Sequence, residues 1–367
     1  MNLRQTITAL LMSSLTAGLC SCGSSSSSSS SHGTHLLYVT TGQGIYAYRI
    51  DNKSRNSTAI FSAPFAVGNA SGGIVVSPSG QFAYVANETD NTISAYKIDP
   101  VSGVLTEVLP RTPAGGFSPN SMVMDSSGST LFVGNQLSNN VTAFTVGAGG
   151  TLSQVSAVPV GSQPSNLVLA NGLLFVAVPN FSRVYVFGVS SGVLTAVNGS
   201  PLLVSNGVAS VTVDPSAKFL YSPSVANGTI SAYSILYSSS TNTISITSVL
   251  GSPFSVNSTT STTAPVPVAA ILDATATHLY VANFATSSVS QFSVGTDGSL
   301  KLLTPATVSV GTNPALLVMD SDGKHMLVGN TGSKNITDLV INADATLGTS
   351  AGTIFVPAPP QGLGVTK

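Results

Sequence analysis

The chain has 367 residues, of which only 12 are Lys or Arg and 13 are Asp or Glu, for a net charge of −1. That is 7% charged against about 25% in an average globular protein, and 12 scattered cations exclude a phosphate-tracking groove and hence a nucleic-acid partner. With 43% apolar residues, 35 Gly, 20 Pro and no Trp, the composition excludes a charged disordered tail and fits a turn-rich β fold.

Residues 1–21 read as an export signal. Arg4 supplies the positive end, and residues 7–19 form an apolar stretch too short for the roughly 20 residues that span a bilayer. The two cysteines of the chain, Cys20 and Cys22, follow at once. The run Leu19-Cys20-Ser21-Cys22 resembles a bacterial lipobox, which implies lipidation of Cys22 and a membrane partner through that anchor. A plain cleaved signal followed by incidental cysteines is the alternative. Residues 22–35 then form a tether, since the tract Ser24–Ser31 has nothing to bury. The expected location is the cell envelope, extracytoplasmic. Gly23, where a retention Asp often stands, points to the outer membrane if the host is Gram-negative.

Residues 36–367 repeat one unit. An apolar strand signature recurs at Leu37-Tyr38-Val39, Tyr84-Val85-Ala86-Asn87, Phe132-Val133-Gly134-Asn135, Phe175-Val176-Ala177, Leu220-Tyr221-Ser222, Tyr280-Val281-Ala282-Asn283 and Leu327-Val328-Gly329-Asn330. A small-and-apolar strand precedes most copies, such as Gly73-Ile74-Val75-Val76. An alternating strand such as Thr92–Ile98 follows, and a short fourth strand closes the unit. Period-two alternation between Gly, Pro, Asp and Ser turns is the strand signal. Seven four-stranded units without helices predict an all-β, seven-bladed β-propeller. The first unit lacks its innermost strand, and residues 360–366 copy that strand's pattern. The C-terminal strand is therefore expected to complete blade one and remove two open sheet edges.

The segments Gly251-Ser252-Pro253-Phe254-Ser255-Val256, Asp214-Pro215-Ser216-Ala217-Lys218-Phe219-Leu220-Tyr221 and Tyr84-Val85-Ala86-Asn87 resemble the seven-bladed lactonase-type propellers. That group includes 6-phosphogluconolactonase and carboxymuconate cyclase and borders the YVTN-repeat surface proteins. The resemblance implies that turns between second and third strands share a channel mouth with the starts of the innermost strands. It places Asn87, Asn135, Asn180, Asn283 and Asn330 at strand ends on that face, and Asn120, Asn166 and Asn313 where innermost strands begin. These eight are the candidate ligand-binding amides; Asn also ends strands for purely local reasons.

The resemblance further implies His, Glu and Arg at the mouth, because lactone chemistry needs a proton-transfer group and oxyanion stabilisation. No His falls near Pro119-Asn120-Ser121 or Pro164-Ser165-Asn166. His278 and His325 stand in register with Phe82 and Phe219, on the opposite face. The candidate catalytic residues are then Glu88, as general base, with Arg111, expected in a loop over residues 109–120, and Arg183. Asp320-Ser321-Asp322-Gly323 starts like a calcium loop but lacks the later ligands; it matches Asp125-Ser126-Ser127-Gly128 and reads as a hairpin turn. No metal and no cofactor are expected.

With no assembled acid–base pair in the sequence, the residues favour a binding or scaffolding module whose mouth takes a small molecule, polysaccharide or protein. A lactonase acting on a sugar lactone and a YVTN-type surface adhesin are the alternatives. An insertion between Tyr221 and Tyr280, in residues 237–243 and 255–267, is the one long departure from the repeat.

Overall fold

The computed structural model describes residues 33–69, 71–205, 207–257, 264–320 and 322–366. The expected leader, Cys22, the serine tract and part of the second inserted stretch lie outside these residues. The rest forms seven antiparallel sheets in a ring, a seven-bladed β-propeller. Blade two shows the unit. Ser71–Val76 is innermost, followed outward by Phe82–Asn87, Thr92–Ile98 and Leu105–Pro113. Blade three repeats it with Pro119–Met124, Thr130–Asn135, Asn140–Val146 and Leu152–Pro159.

The apolar signature is the second strand of each blade, and the packing explains why it is apolar throughout. Tyr84 faces blade three, beside Leu131, Val133 and Phe144. Its neighbours Ala83 and Val85 face blade one, beside Tyr38 and Ile45. A strand covered on both faces reads as a continuous apolar run. One buried apolar cluster fills each of the seven seams between blades. Each large side chain buried there contributes roughly 1.5–3 kcal/mol.

Repeated polar devices set the turns. In the first hairpin of blades three, five, six and seven an Asp accepts from the two backbone N–H groups that open the next strand. Asp125 Oδ1 takes Ser129 N at 2.8 Å and Thr130 N at 3.0 Å, and Asp320 Oδ1 takes Lys324 N at 3.1 Å and His325 N at 3.0 Å. Gly323 N also donates to the Asp320 carbonyl at 3.1 Å, so Asp320 opens a hairpin turn. Three of the four signature tyrosines tie their blade to the next. The hydroxyls of Tyr38, Tyr221 and Tyr280 donate to the carbonyls of Gly103, Gly298 and Ala345, in the outer hairpin of the following blade, at 2.9, 3.1 and 2.7 Å.

Blade one is built from both ends of the chain. Gly362–Val365 is its innermost strand and pairs antiparallel with Thr34–Thr41, Leu37 opposite Val365 and Thr40 opposite Gly362. The first strand begins at Thr34 rather than Leu36. His35 is buried in it, its ring Nδ1 2.7 Å from Asn52 Oδ1, so its hydrogen bond draws the end of the expected tether into the sheet.

The seam between blades seven and one reverses the tyrosine tie. Blade seven has Leu327 where the others carry the ring. Instead Arg55, in the outer hairpin of blade one, reaches back into blade seven (strands Pro314–Met319, His325–Asn330, Asn335–Ile341, Leu347–Phe355). Arg55 holds φ +58°, the left-handed conformation that Gly103, Gly150 and Gly298 hold in the matching hairpins. Its Nε donates to Asp338 Oδ2 at 2.8 Å, and its Nη1 lies 3.3 Å from Asp320 Oδ2. His325 Nδ1 is 2.9 Å from Asp338 Oδ1. The side chains of Arg55, Asp320 and Asp338 are 6%, 1% and 3% exposed.

Candidate functional site

The strand-end asparagines do not line the mouth. Asn87, Asn135, Asn283 and Asn330 are fully buried. Each turns its amide into its own blade and donates to the third strand: Asn87 to Thr92 and Ser94 Oγ at 3.0 Å, Asn135 to Thr142 at 3.0 Å, Asn283 to Ser290 at 2.7 Å, Asn330 to Thr337 at 2.9 Å. The linker between blades then crosses directly over the amide. A Cβ on Gly68, Gly116 or Gly311 would stand 2.5–2.8 Å from Asn87, Asn135 or Asn330. These four positions are framework, because buried donors must be satisfied locally.

The other amides mostly bind blade to blade. Asn166 Oδ1 accepts from Val211 N at 3.0 Å, and Asn313 Nδ2 donates to Phe284 O at 3.2 Å. Asn180 sits in a 3₁₀ turn, Pro179–Phe181, after the strand has ended at Val178, and donates to Ser162 Oγ at 3.1 Å. Thr40, Ser165 and Ser210 add further inter-blade bonds to the carbonyls of Gly72, Ala209 and Val268. Polar residues of the inner ring therefore hold the ring together.

Asn120 differs. Its Nδ2 donates to Glu88 Oε1 at 2.6 Å, across the seam of blades two and three. Glu88 follows the second strand of blade two, and Gly72 leaves room for its carboxylate, which a Cβ there would approach to 3.0 Å. Glu88 is half-buried, and among the described residues its second oxygen has no hydrogen-bond partner. It stands at the edge of a cleft of about 460 Å³ lined by Glu88, Thr89, Asn91, Phe117, Ser118 and Leu137. The walls are strapped to both blades: Asn91 Oδ1 accepts from Ser118 N at 2.8 Å, and Leu137 N donates to Phe117 O at 3.1 Å.

Arg111 does not join Glu88. It lies on the strand Leu105–Pro113, not in a loop. The strand runs longer than the sequence suggests because residues 112 and 113 pair back onto Ile93 and Thr92. Arg111 Nε meets Glu107 Oε1 at 2.6 Å, and Nη1 lies 3.8 Å from Asp90 Oδ2. The hydrogen bond to Glu107 raises the guanidinium's already high pKa. The Asn69 backbone and side-chain amides, both at 2.9 Å, hold the Asp90 carboxyl below its usual value. Arg183 is exposed at the start of a strand in blade four, with no side-chain partner among the described residues. Of the three charged candidates, only Glu88 faces the cleft.

Phe117 and Leu137 were not legible as site residues: each follows a framework motif, and nothing in the sequence marks them as exposed. A larger hollow, about 640 Å³, opens on the opposite face between blades three and four. Its only ionisable lining residue is Asp125, whose two oxygens are occupied by its own turn. Among the described residues no three His, Cys, Asp or Glu side chains group as a metal site.

Fold and cleft together define a closed seven-bladed propeller with the Glu88 carboxylate open, among the described residues, to a cleft on the mouth face. Residues 53–168 and 254–360 match the family described as "Lactonase, 7-bladed beta-propeller", and the chain belongs to that family. No curated protein sequence matches it. Among solved structures, it is similar to the periplasmic gluconolactonase of Pseudomonas aeruginosa, at 18% identity and a TM-score of 0.75 over 91% of this chain and 99% of that one. A Bacteroides fragilis protein proposed to be a 6-phosphogluconolactonase gives 18% identity and a TM-score of 0.77 over 92% and 99%. A Lactobacillus plantarum protein gives 19%, 0.77, 91% and 99%. At these identities the likeness is one of fold.

Proposed function

We propose that the chain is a lactone hydrolase working at the mouth-face cleft, with Glu88 as general base. The observation that carries this reading is a half-buried carboxylate, oriented by Asn120 through one oxygen and open at the other, in a chain of the lactonase family. Glu88 takes a proton from a water as its oxygen attacks the lactone carbonyl carbon. The tetrahedral oxyanion collapses, the ring C–O bond breaks, and the proton passes from Glu88 to the departing alkoxide. The second N–H of the Asn120 amide is a donor for the oxyanion. Glu88→Gln keeps the bond to Asn120 and removes the base; it should cost roughly 10²–10⁴ in kcat, read as enzymatic opening of δ-gluconolactone above the spontaneous rate. Undiminished turnover in that variant overturns the assignment.

A second reading, a binding module, is favoured by the pairing of Arg111 away from Glu88 and by Phe181, Val225 and Phe284, which stand exposed on the turns of the next three blades. Saturable ligand binding without turnover would select it. We also propose that Cys22 carries lipid and fixes the propeller to an extracytoplasmic membrane. Cys22→Ala should release the protein into the soluble fraction.

A further inference from the structure

Resting on the reading of Glu88 as a lactone-opening base, we infer that the substrate is an uncharged lactone with an apolar substituent, not a phosphorylated sugar lactone. Two features of the same cleft point there.

The first is charge. A phosphoryl group is held by Arg or Lys forks or by clustered backbone N–H groups. Residues 119–159, all of blade three, contain no Lys or Arg. In blade two the mouth-end cation is Arg111, already between Glu107 and Asp90. Counting Glu88, Asp90 and Glu107 against Arg111, the neighbourhood carries a net −2. A dianionic phosphate placed beside it meets repulsion, focused by the low-dielectric walls. An uncharged lactone meets none.

The second is the wall. Phe117 and Leu137 are 62% and 67% exposed, yet both line the cleft beside the carboxylate. Leu137 N donates to Phe117 O, Phe117 N donates to Ser138 Oγ, and the adjoining Ser118 N donates to Asn91 Oδ1, so the apolar surface is presented on a held backbone. A polyhydroxylated ring would leave it wet. An alkyl or aryl arm on the lactone covers it, and the cleft's 460 Å³ lies within the roughly 300–1,000 Å³ of small-molecule sites.

The test is a substrate series on the purified full chain: δ-gluconolactone, 6-phosphogluconolactone, and δ-lactones with side chains from methyl to hexyl. Within the alkyl series kcat/KM should climb with each methylene, by up to about fourfold where burial is complete, until the cleft is full. The phosphorylated lactone should be the poorest substrate. Phe117→Ser and Leu137→Ser should flatten the chain-length slope. Glu107→Ala, which removes the nearer carboxylate partner of Arg111 and one negative charge, should raise the ratio of phosphorylated to alkyl turnover. A flat slope, or the phosphorylated lactone as the best substrate, overturns the inference while leaving the hydrolase reading intact. Turnover of no lactone at all sinks both.

Discussion

Replacing Arg55 by Met should open the ring at the seam of blades seven and one. The variant leaves Asp338 and Asp320, both almost completely buried, without the guanidinium between them, and only the His325 ring still meets Asp338. Removing one partner from a buried ion pair costs about 3–5 kcal/mol, since the remaining charge has neither water nor a counter-ion. That is a large share of the roughly 5–15 kcal/mol that holds a typical domain folded. With a urea slope of about 3 kcal/mol per M for a chain this size, the unfolding midpoint should fall by about 1–2 M. The decisive comparison is a fourfold replacement, Arg55→Gly, His325→Phe, Leu327→Tyr and Asp338→Ala. It copies the seam of blades five and six, where a Cβ on Gly298 would meet the Phe219 ring and where Tyr221 donates to the Gly298 carbonyl. Swapping a buried charge cluster for a packed apolar contact is often neutral or stabilising, so this variant should regain most of the loss. A fall below about 0.3 M for Arg55→Met, corresponding to the 0–1 kcal/mol of a solvated surface pair, would refute the claim that these charges are a buried latch.

Other outcomes follow from the repeated devices. Tyr221→Phe leaves the Gly298 carbonyl without its donor and should cost about 1–3 kcal/mol, whereas Tyr84→Phe should be nearly neutral because that hydroxyl has no hydrogen-bond partner among the described residues; equal losses in urea unfolding would contradict this. Gly116→Ala sets a Cβ 2.6 Å from Asn140 Oδ1 and 2.8 Å from Asn135, an overpacking cost of about 1–3 kcal/mol. Gly149→Ala, which meets nothing within 4 Å, is the control and should leave the midpoint unchanged. Burial pushes the His35 imidazole below its ordinary 6.5, with the Asn52 bond opposing. Below pH 6.5 the unfolded chain takes up the proton more readily than the folded one, so His35 removes stability as pH falls through that value and costs nothing above it. His35→Gln should therefore reduce the loss of urea stability between pH 8 and pH 5; an unaltered pH dependence would show that the ring is not held neutral.

The blade count, the strand order and the closure by the C-terminal strand were all legible in the sequence. The reason is local. A second strand such as Ala83-Tyr84-Val85-Ala86 is buried on both faces, so every residue must be apolar, and Asp125 or Asp320 marks a hairpin by capping N–H groups only a few residues away. What only the tertiary structure decided was the destination of polar side chains. Asn87 and Asn120 are the same residue type, each beside the mouth in sequence. One bends into its own blade to meet Ser94, and the other crosses a seam to hold Glu88. Arg111 is taken by a carboxylate four residues away, and Arg55 is sent across the closing seam because Leu327 supplies no hydroxyl there. An apolar residue needs only to be covered, and periodicity shows that it will be. A hydrogen-bonding group needs a particular partner at about 3 Å, and which partner arrives depends on how blades distant in the chain are brought edge to edge.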